Sequence, residues 1–274
     1  HGAGSGGSAD HAGAIIGQLD IWSSAIKAKA GVGRGGSKKR ELYGIKKLRE
    51  LILELAVRGL LVQQDPNDEP ASELLKRIAT EKQQLIKDKK VKKQKALPPI
   101  SDDEKPFELP EGWKWARLLD VGHDLGQEKP DQAFTYIDVG AINRSLGCVE
   151  SPNILEASKA PSRARKLVKR GTVIYSTVRP YLLNIAVIDQ DFEPEPIAST
   201  AFAIIHPLTG VTGSYIYRYL RSPVFVTYVE SVQAGIAYPA INDKQFFSGL
   251  IPLPPPDEQH RIVAKVDELM ALCD

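Results

Sequence analysis

Apolar positions along this chain change their spacing more than once, and the changes divide it. Over residues 44–62, Ile45, Leu48, Leu51, Ile52, Leu55 and Leu61 recur at helical intervals among Lys46, Lys47, Arg49, Glu50 and Glu54, which predicts an amphipathic helix. The run Gln64-Asp65-Pro66-Asn67-Asp68-Glu69-Pro70 breaks it, and Ser72 is the expected N-cap of a second helix with Leu74, Leu75, Ile78, Leu85 and Ile86 on one face. Two helices joined by so short a turn suggest a hairpin. From residue 107 the period becomes that of strands, with an opening run at 107–115 and short β-type runs at 135–139, 172–176, 184–188 and 200–205. Helical spacing returns at 214–219 and 224–232, without a regular βαβ alternation, so the expected class is α+β. Near the C-terminus, Ile251-Pro252-Leu253-Pro254-Pro255-Pro256 ends a strand-like pair, and Asp257-Glu258 open a helix. Its Ile262, Val266, Leu269 and Cys273 fall at alternating steps of four and three, an a/d seam that calls for a partner helix.

The pattern gives an arm at 1–43, a helical hairpin at 44–96, an extended proline-containing linker at 97–106, a mixed α/β domain at 107–255 and the start of a protruding, coiled-coil-like helix at 256–274. Within the arm, residues 1–8 read as a linker or cloning remnant, residues 31–36 are too rich in glycine for regular structure, and 15–26 suit one short helix around Leu19, Trp22 and Ile26. The packing positions expected to meet partner helices are Leu48, Leu51, Leu55, Ile262, Val266 and Leu269.

Composition narrows the class. With 274 residues, 42% of them hydrophobic, the chain can bury a real core. Cys148 and Cys273 are its only cysteines, too few for a disulfide framework or a cysteine-rich zinc site, and they fit a reducing interior. No run approaches the ~18 apolar residues of a membrane span and no leader precedes a cleavage site, so a cytoplasmic protein without membrane contact is expected. Catalytic signatures fail in turn. Gly31-Val32-Gly33-Arg34-Gly35-Gly36-Ser37-Lys38 nearly spells a phosphate loop, but its last two residues are reversed and no apolar strand feeds it. His1, His11, His123, His206 and His260 never fall at ligand spacing, so no metal is expected. Neither the Asn/Asp-Pro-Pro-aromatic loop nor the glycine-rich turn of an amino-methyltransferase occurs, and Asp257-Glu258 begin a helix where a magnesium nuclease would place carboxylates on a sheet edge. No catalytic residue and no cofactor are assigned.

The formal charge of +2 conceals local asymmetry. Arg163, Arg165, Lys166, Lys169, Arg170 and Arg179 lie in an interval that contains no acidic residue, a density able to neutralise a row of phosphates, or alternatively to sit solvated on several faces. Arg179-Pro180-Tyr181 follows a predicted strand, so Arg179 would stand on a stiffened loop suited to bidentate reading of guanine, with Tyr181 and Asn184 beside it. In the loop 233–245, Tyr238, Asn242 and Lys244 combine stacking, amide and cationic groups, although an ordinary helix-to-strand connection has the same composition. The lysines at 87, 89, 90, 92, 93 and 95 suit either a fraying, solvated helix end or phosphate contact.

Several strings then carry a family resemblance. Leu51-Ile52-Leu53-Glu54-Leu55-Ala56-Val57-Arg58-Gly59 with Asp65-Pro66-Asn67-Asp68-Glu69-Pro70-Ala71, Leu109-Pro110-Glu111-Gly112-Trp113, Tyr175-Ser176-Thr177-Val178-Arg179-Pro180-Tyr181, and the proline-rich stretch through Glu258-Gln259 together make the chain resemble the specificity subunit of a type I restriction-modification enzyme over residues 44–274. The resemblance implies a target recognition domain on helices that space and dock methyltransferase subunits, with methyl transfer left to those modification subunits and translocation and cleavage to a restriction subunit. Family members carry two such domains that read the halves of a split site in double-stranded DNA. Only one is present here, so the chain is expected to be a piece of a longer one or a half-length subunit that dimerises. Other classes stay open: an assembly module that binds proteins without reading bases, and a divergent nuclease or methyltransferase. The DNA-binding reading requires that the cations of residues 159–179 share one concave basic surface.

Overall fold

The computed structural model describes residues 10–24, 27–29, 39–41 and 43–273, and its helices and strands mix irregularly, as an α+β fold requires. The helices are α1 (His11–Gly17), α2 (Leu19–Ser24), α3 (Tyr43–Val57), α4 (Ala71–Lys87), α5 (Leu118–Val121), α6 (Gly213–Leu220), α7 (Pro223–Val232), α8 (Asp243–Ser248) and α9 (Pro256–Ala271). The strands are β1 (Lys27–Lys29), β2 (Lys39–Glu41), β3 (Lys114–Arg117), β4 (Gly122–His123), β5 (Phe134–Ile137), β6 (Ile142–Asn143), β7 (Cys148–Val149), β8 (Asn153–Leu155), β9 (Ala164–Leu167), β10 (Val173–Ser176), β11 (Ile185–Val187), β12 (Pro196–Ser199), β13 (Phe202–Pro207) and β14 (Leu250–Leu253).

Two four-stranded sheets form the body. One has the order β11-β10-β13-β4 and is antiparallel throughout; the other, β8-β5-β12-β9, is mixed, with β5 and β12 parallel. Strand alternation decides what each face meets. Val173, Tyr175, Ala203 and Ile205 join the core beneath the helices, whereas Ile174, Phe202 and Ile204 join a second core with Ile137 and Ala198 of the other sheet. The continuous apolar runs of β10 and β13 are therefore those of strands buried on both faces.

The helices expected to stand apart share the first of these cores. Leu48, Ile52, Leu74, Ile205, Tyr215, Ile262, Val266 and Leu269 belong to one buried cluster, so the stretch expected to be a linker at 97–106 does not divide it. The predicted hairpin is corrected in the same way: α3 packs on α9, α7 and α6, and α4 packs on α5. The a/d seam of α9 finds its partner inside the chain, because Ile262, Val266 and Leu269 are buried against α3 and α6. Leu48 is fully buried there, and Leu51 and Leu55 are half-buried. In the arm, α1 and α2 break at Gln18 where one helix was expected, Ala12 and Ile15 enter the main cluster, and α2 packs on α3. The expectations for residues 1–8, 31–36 and Ile26 fall outside the described residues.

Most of the strings that carry the resemblance converge on one junction. Gly59 closes α3 in the left-handed region at φ +71, where an added Cβ would collide with Pro110. Ala71 N–H donates to the Gly112 carbonyl at 2.8 Å, so the start of α4 is satisfied by tertiary contact and Ser72, the expected cap, sits inside the first turn after Pro70. Trp113 Nε1 donates to Glu258 Oε2 at 2.9 Å, Arg261 pairs with Asp68, and the buried amide of Gln259 accepts from Thr212 N–H and donates to the Gly210 and Pro254 carbonyls. Burial raises the Glu258 carboxyl above its usual range, against the pull of the Trp113 hydrogen bond. These motifs are the frame, and they tie α3, α4 and α9 to the body through these contacts.

Candidate nucleic-acid interface

Two loops meet at one end of the sheet sandwich because their backbones are laced together. Arg179 N–H donates to the Pro239 carbonyl at 2.8 Å and Ile241 N–H to the Thr177 carbonyl at 3.0 Å, while Ala234 and Ala240 exchange both backbone bonds at 2.9 Å. Thr177 is anchored in turn, its N–H and Oγ1 both donating to the Ala201 carbonyl, and Ser176 Oγ donates to the Val178 carbonyl. Arg179 and Leu183, which flank the turn Pro180–Leu182, are both held in the left-handed region at φ 49 and 53. Side chains rarely adopt that backbone unless their surroundings enforce it.

The lacing places the Arg179 guanidinium 4.6 Å from the ring centre of Tyr238. Stacking occupies the planar face of a guanidinium and leaves its N–H fork for a bidentate acceptor. No hydrogen bond or ion pair within the described residues engages that fork. Around it, Val178, Tyr181, Ile236 and Tyr238 are exposed, and Ile236 is wholly in solvent at the loop tip. Arg163 reaches the same end: Thr200 N–H donates to its carbonyl at 2.8 Å, one residue from the Ala201 that anchors Thr177. The apex thus presents the Arg179 guanidinium among exposed apolar and aromatic groups, with the exposed Arg163 carried on backbone bonded beside it.

The rest of the cationic run is scattered, and the expectation of one shared basic surface is corrected. Period-2 alternation on β9 turns Lys166 inward, where it is only 2% exposed and donates to Asp124 Oδ2 at 2.9 Å and Asp243 Oδ2 at 2.7 Å. Burial alone would depress its ammonium, but the hydrogen bonds to Asp243 and Asp124 outweigh it and raise the group above its ordinary value. Lys166 is a structural ion, and it ties β9 to the helix that follows the apical loop. Arg165 is half-buried, with Nε donating to the Ser162 carbonyl. Lys169 and Arg170 precede β10 and Arg179 follows it, so they lie at opposite ends of that strand. There, Lys169 and Arg170 border a hollow of about 550 Å³ shared with Asp131, Asp191, Glu193 and Glu195, and Arg170 pairs with Asp191 at 3.6 Å. Acids outnumber cations at that end, which forms no basic cradle.

Two amide expectations part company. Asn242 is a cap: its side chain accepts from Gln245 N–H and Gln245 Oε1 accepts from Asn242 N–H, both at 2.9 Å. The spacing of Asn242 and Gln245 is the capping-box signature, a signal that could have been read in advance. Asn184 is half-buried behind the left-handed Leu183, with its carbonyl accepting from Ser176 N–H. Lys244 is exposed on the first turn of α8. Sequence reasoning missed Val178 and Ile236; an isoleucine following glycine in a polar loop was the available hint. Among the described residues no group of His, Cys, Asp and Glu side chains is placed to hold a metal, and no helix is long and apolar enough to cross a membrane.

Comparison with known proteins complements this geometry. The chain is 39% identical over 267 residues to the type I restriction enzyme EcoAI specificity subunit of Escherichia coli and 40% identical over 267 residues to the EcoEI specificity subunit, in each case across 95% of this chain and 45% of the relative. It spans about half the length of these curated relatives. Among solved structures it is similar to the HsdS subunit from Thermoanaerobacter tengcongensis, with 38% identity and a TM-score of 0.56 over 61% of this chain and 44% of that one. A chain solved in work on complex assembly and conformational transition of the type I R-M system gives the same values. No protein-family model matches the sequence.

Proposed function

This chain belongs with the type I restriction enzyme specificity subunits, at about half the length of the curated relatives it matches, and on that premise we propose that it reads one half of a bipartite DNA site. The observation that carries the reading is the apex, where Arg179 stacks on Tyr238 with its hydrogen-bonding edge unspent. A guanidinium fork matches guanine O6 and N7 in the major groove, and Tyr181 and Tyr238 offer faces to bases, sugars or thymine methyls. Arg163 contributes at the same end. The shared basic surface that the sequence reading required is absent among the described residues, so the proposal rests on the family and on the apex instead, with Lys166 in a positioning role and Lys169 and Arg170 outside the contact.

The residues described carry no catalysis in this reading. Methyl transfer belongs to modification subunits, docked on the helical layer, and cleavage to a restriction subunit, and no cofactor binds here. The domain unit that reads DNA is the double sheet with α6 to α8, and the remaining helices serve assembly. A second recognition domain comes from the rest of a longer subunit or from a second copy of this chain. Selection from a pool of randomised duplexes, using the chain assembled with methyltransferase subunits, tests the function: one defined half-site should be enriched. A pool that stays random after selection would overturn it.

A further inference from the structure

The lysine-rich stretch after α4 is a built strap. α4 ends at Lys87, and Lys89 takes the left-handed conformation at φ 58 while Lys90 and Val91 N–H both donate to the Leu85 carbonyl, at 2.9 and 3.2 Å. Val91 is then buried, so the helix end expected to fray is closed and anchored. The far end of the strap is fixed as well: the buried guanidinium of Arg117 donates to the Pro98 carbonyl at 3.1 Å, and also to Glu104 and the Ser248 carbonyl. Between these anchors Lys89, Lys90, Lys92 and Lys95 are exposed. They line a groove of about 1460 Å³ together with Lys244, which directly follows the apical loop. None of the five ammonium groups has an ion-pair partner among the described residues. The acids in the groove are largely accounted for, because Asp124 and Asp243 are both held by Lys166, leaving Glu128.

We propose that this groove takes the phosphate backbone of the DNA flanking the bases read at the apex, so that the chain grips its duplex through a second, sequence-independent contact. The inference rests on the DNA-reading function above. Its chemistry is that of unpaired ammonium groups on a fixed backbone, which suit phosphates as point charges and carry no base information. Continuity through Lys244 orients the duplex: the strand that leaves Arg179 and Tyr238 runs into the lysine groove.

The test uses the chain assembled with methyltransferase subunits, carrying Lys89→Gln, Lys90→Gln, Lys92→Gln and Lys95→Gln together, and duplexes with the selected site or a scrambled one over a range of salt. Each lost phosphate contact lowers the slope of log affinity against log salt by about 0.9. A slope smaller by roughly 2 to 4, with the ratio of selected to scrambled affinity unchanged, is the expected result. The corresponding four Lys→Arg changes keep the charge and should restore the slope. An unchanged slope would overturn the inference while wild-type discrimination left the DNA-reading function standing; loss of methyltransferase assembly with an unchanged slope would assign the groove to a protein partner and overturn it equally. Failure of the wild-type complex to discriminate would instead strike the function itself.

Discussion

Two stretches of this chain are dense in cations, and the fold treats them in opposite ways. Between Lys159 and Arg179 the charges ride on strands and tight turns, so alternation and strand polarity send Lys166 into the interior, Lys169 and Arg170 to an acid-rich end, and Arg163 and Arg179 to the apex. Between Lys89 and Lys95 no regular element sorts the side chains, and two anchors hold the backbone across one groove. Charge density in a sequence therefore says how much potential is available. Element type says where it goes, and a pinned coil can gather what a strand disperses.

The largest test of that contrast falls on Lys166. Lys166→Met should leave Asp124 and Asp243 without their shared cation and lower unfolding stability by about 2–3 kcal/mol, discounted from a fully buried pair because the carboxylates reach solvent; chemical denaturation measures it. An unchanged midpoint would return Lys166 to the surface class. Arg179→Ala should cost about 1–3 kcal/mol in binding to the selected half-site, confined to one base pair, with scrambled duplex bound nearly as before. Equal loss on both duplexes would make Arg179 a phosphate contact like the groove lysines.

A smaller effect is expected from His206, which faces His123 and Lys169 and shares a 3.0 Å hydrogen bond with Thr172. Burial first, then Lys169 and His123, hold it down at about 4 from its ordinary 6.5. Between those values the unfolded chain binds a proton that the folded one refuses, so its contribution is complete above 6.5 and is lost as pH falls toward 4, by ~1–2 kcal/mol with its partial exposure allowed for. Thermal melts from pH 7 to pH 4.5 should show this loss, and a Lys169→Gln variant should show less of it. The smallest effect belongs to the pair Lys169→Gln and Arg170→Gln, which should leave both the salt slope and the sequence preference unchanged. A reduced slope would place that end of the sandwich on DNA.

Much of the frame could be read from the sequence because it rests on local rules. The helical spacing of Leu48, Ile52 and Leu55, the β-type run of 172–176 and the proline block before α9 all act within a few residues, and the structure forms elements at each. Other features depend on distant partners. Ser72 lost its expected role to the carbonyl of Gly112, and the seam of Ile262, Val266 and Leu269 was met by α3 of the same chain. Arg179 was legible as a loop arginine, whereas its stacking on Tyr238 depends on lacing between loops far apart in sequence, which no local pattern encodes. The cationic run failed as a surface for a reason within reach: strand alternation, applied to the basic residues as it was to the apolar ones, already separates Lys166 from its neighbours.

Photocrosslinking discriminates the apex from the opposite end most directly. With p-benzoylphenylalanine replacing Tyr238 in one assembled complex and Arg170 in another, each irradiated on the selected duplex, the substitution at 238 should give a DNA adduct and the one at 170 none. An adduct at 170 with none at 238 would contradict the assignment of base reading to the Arg179–Tyr238 apex.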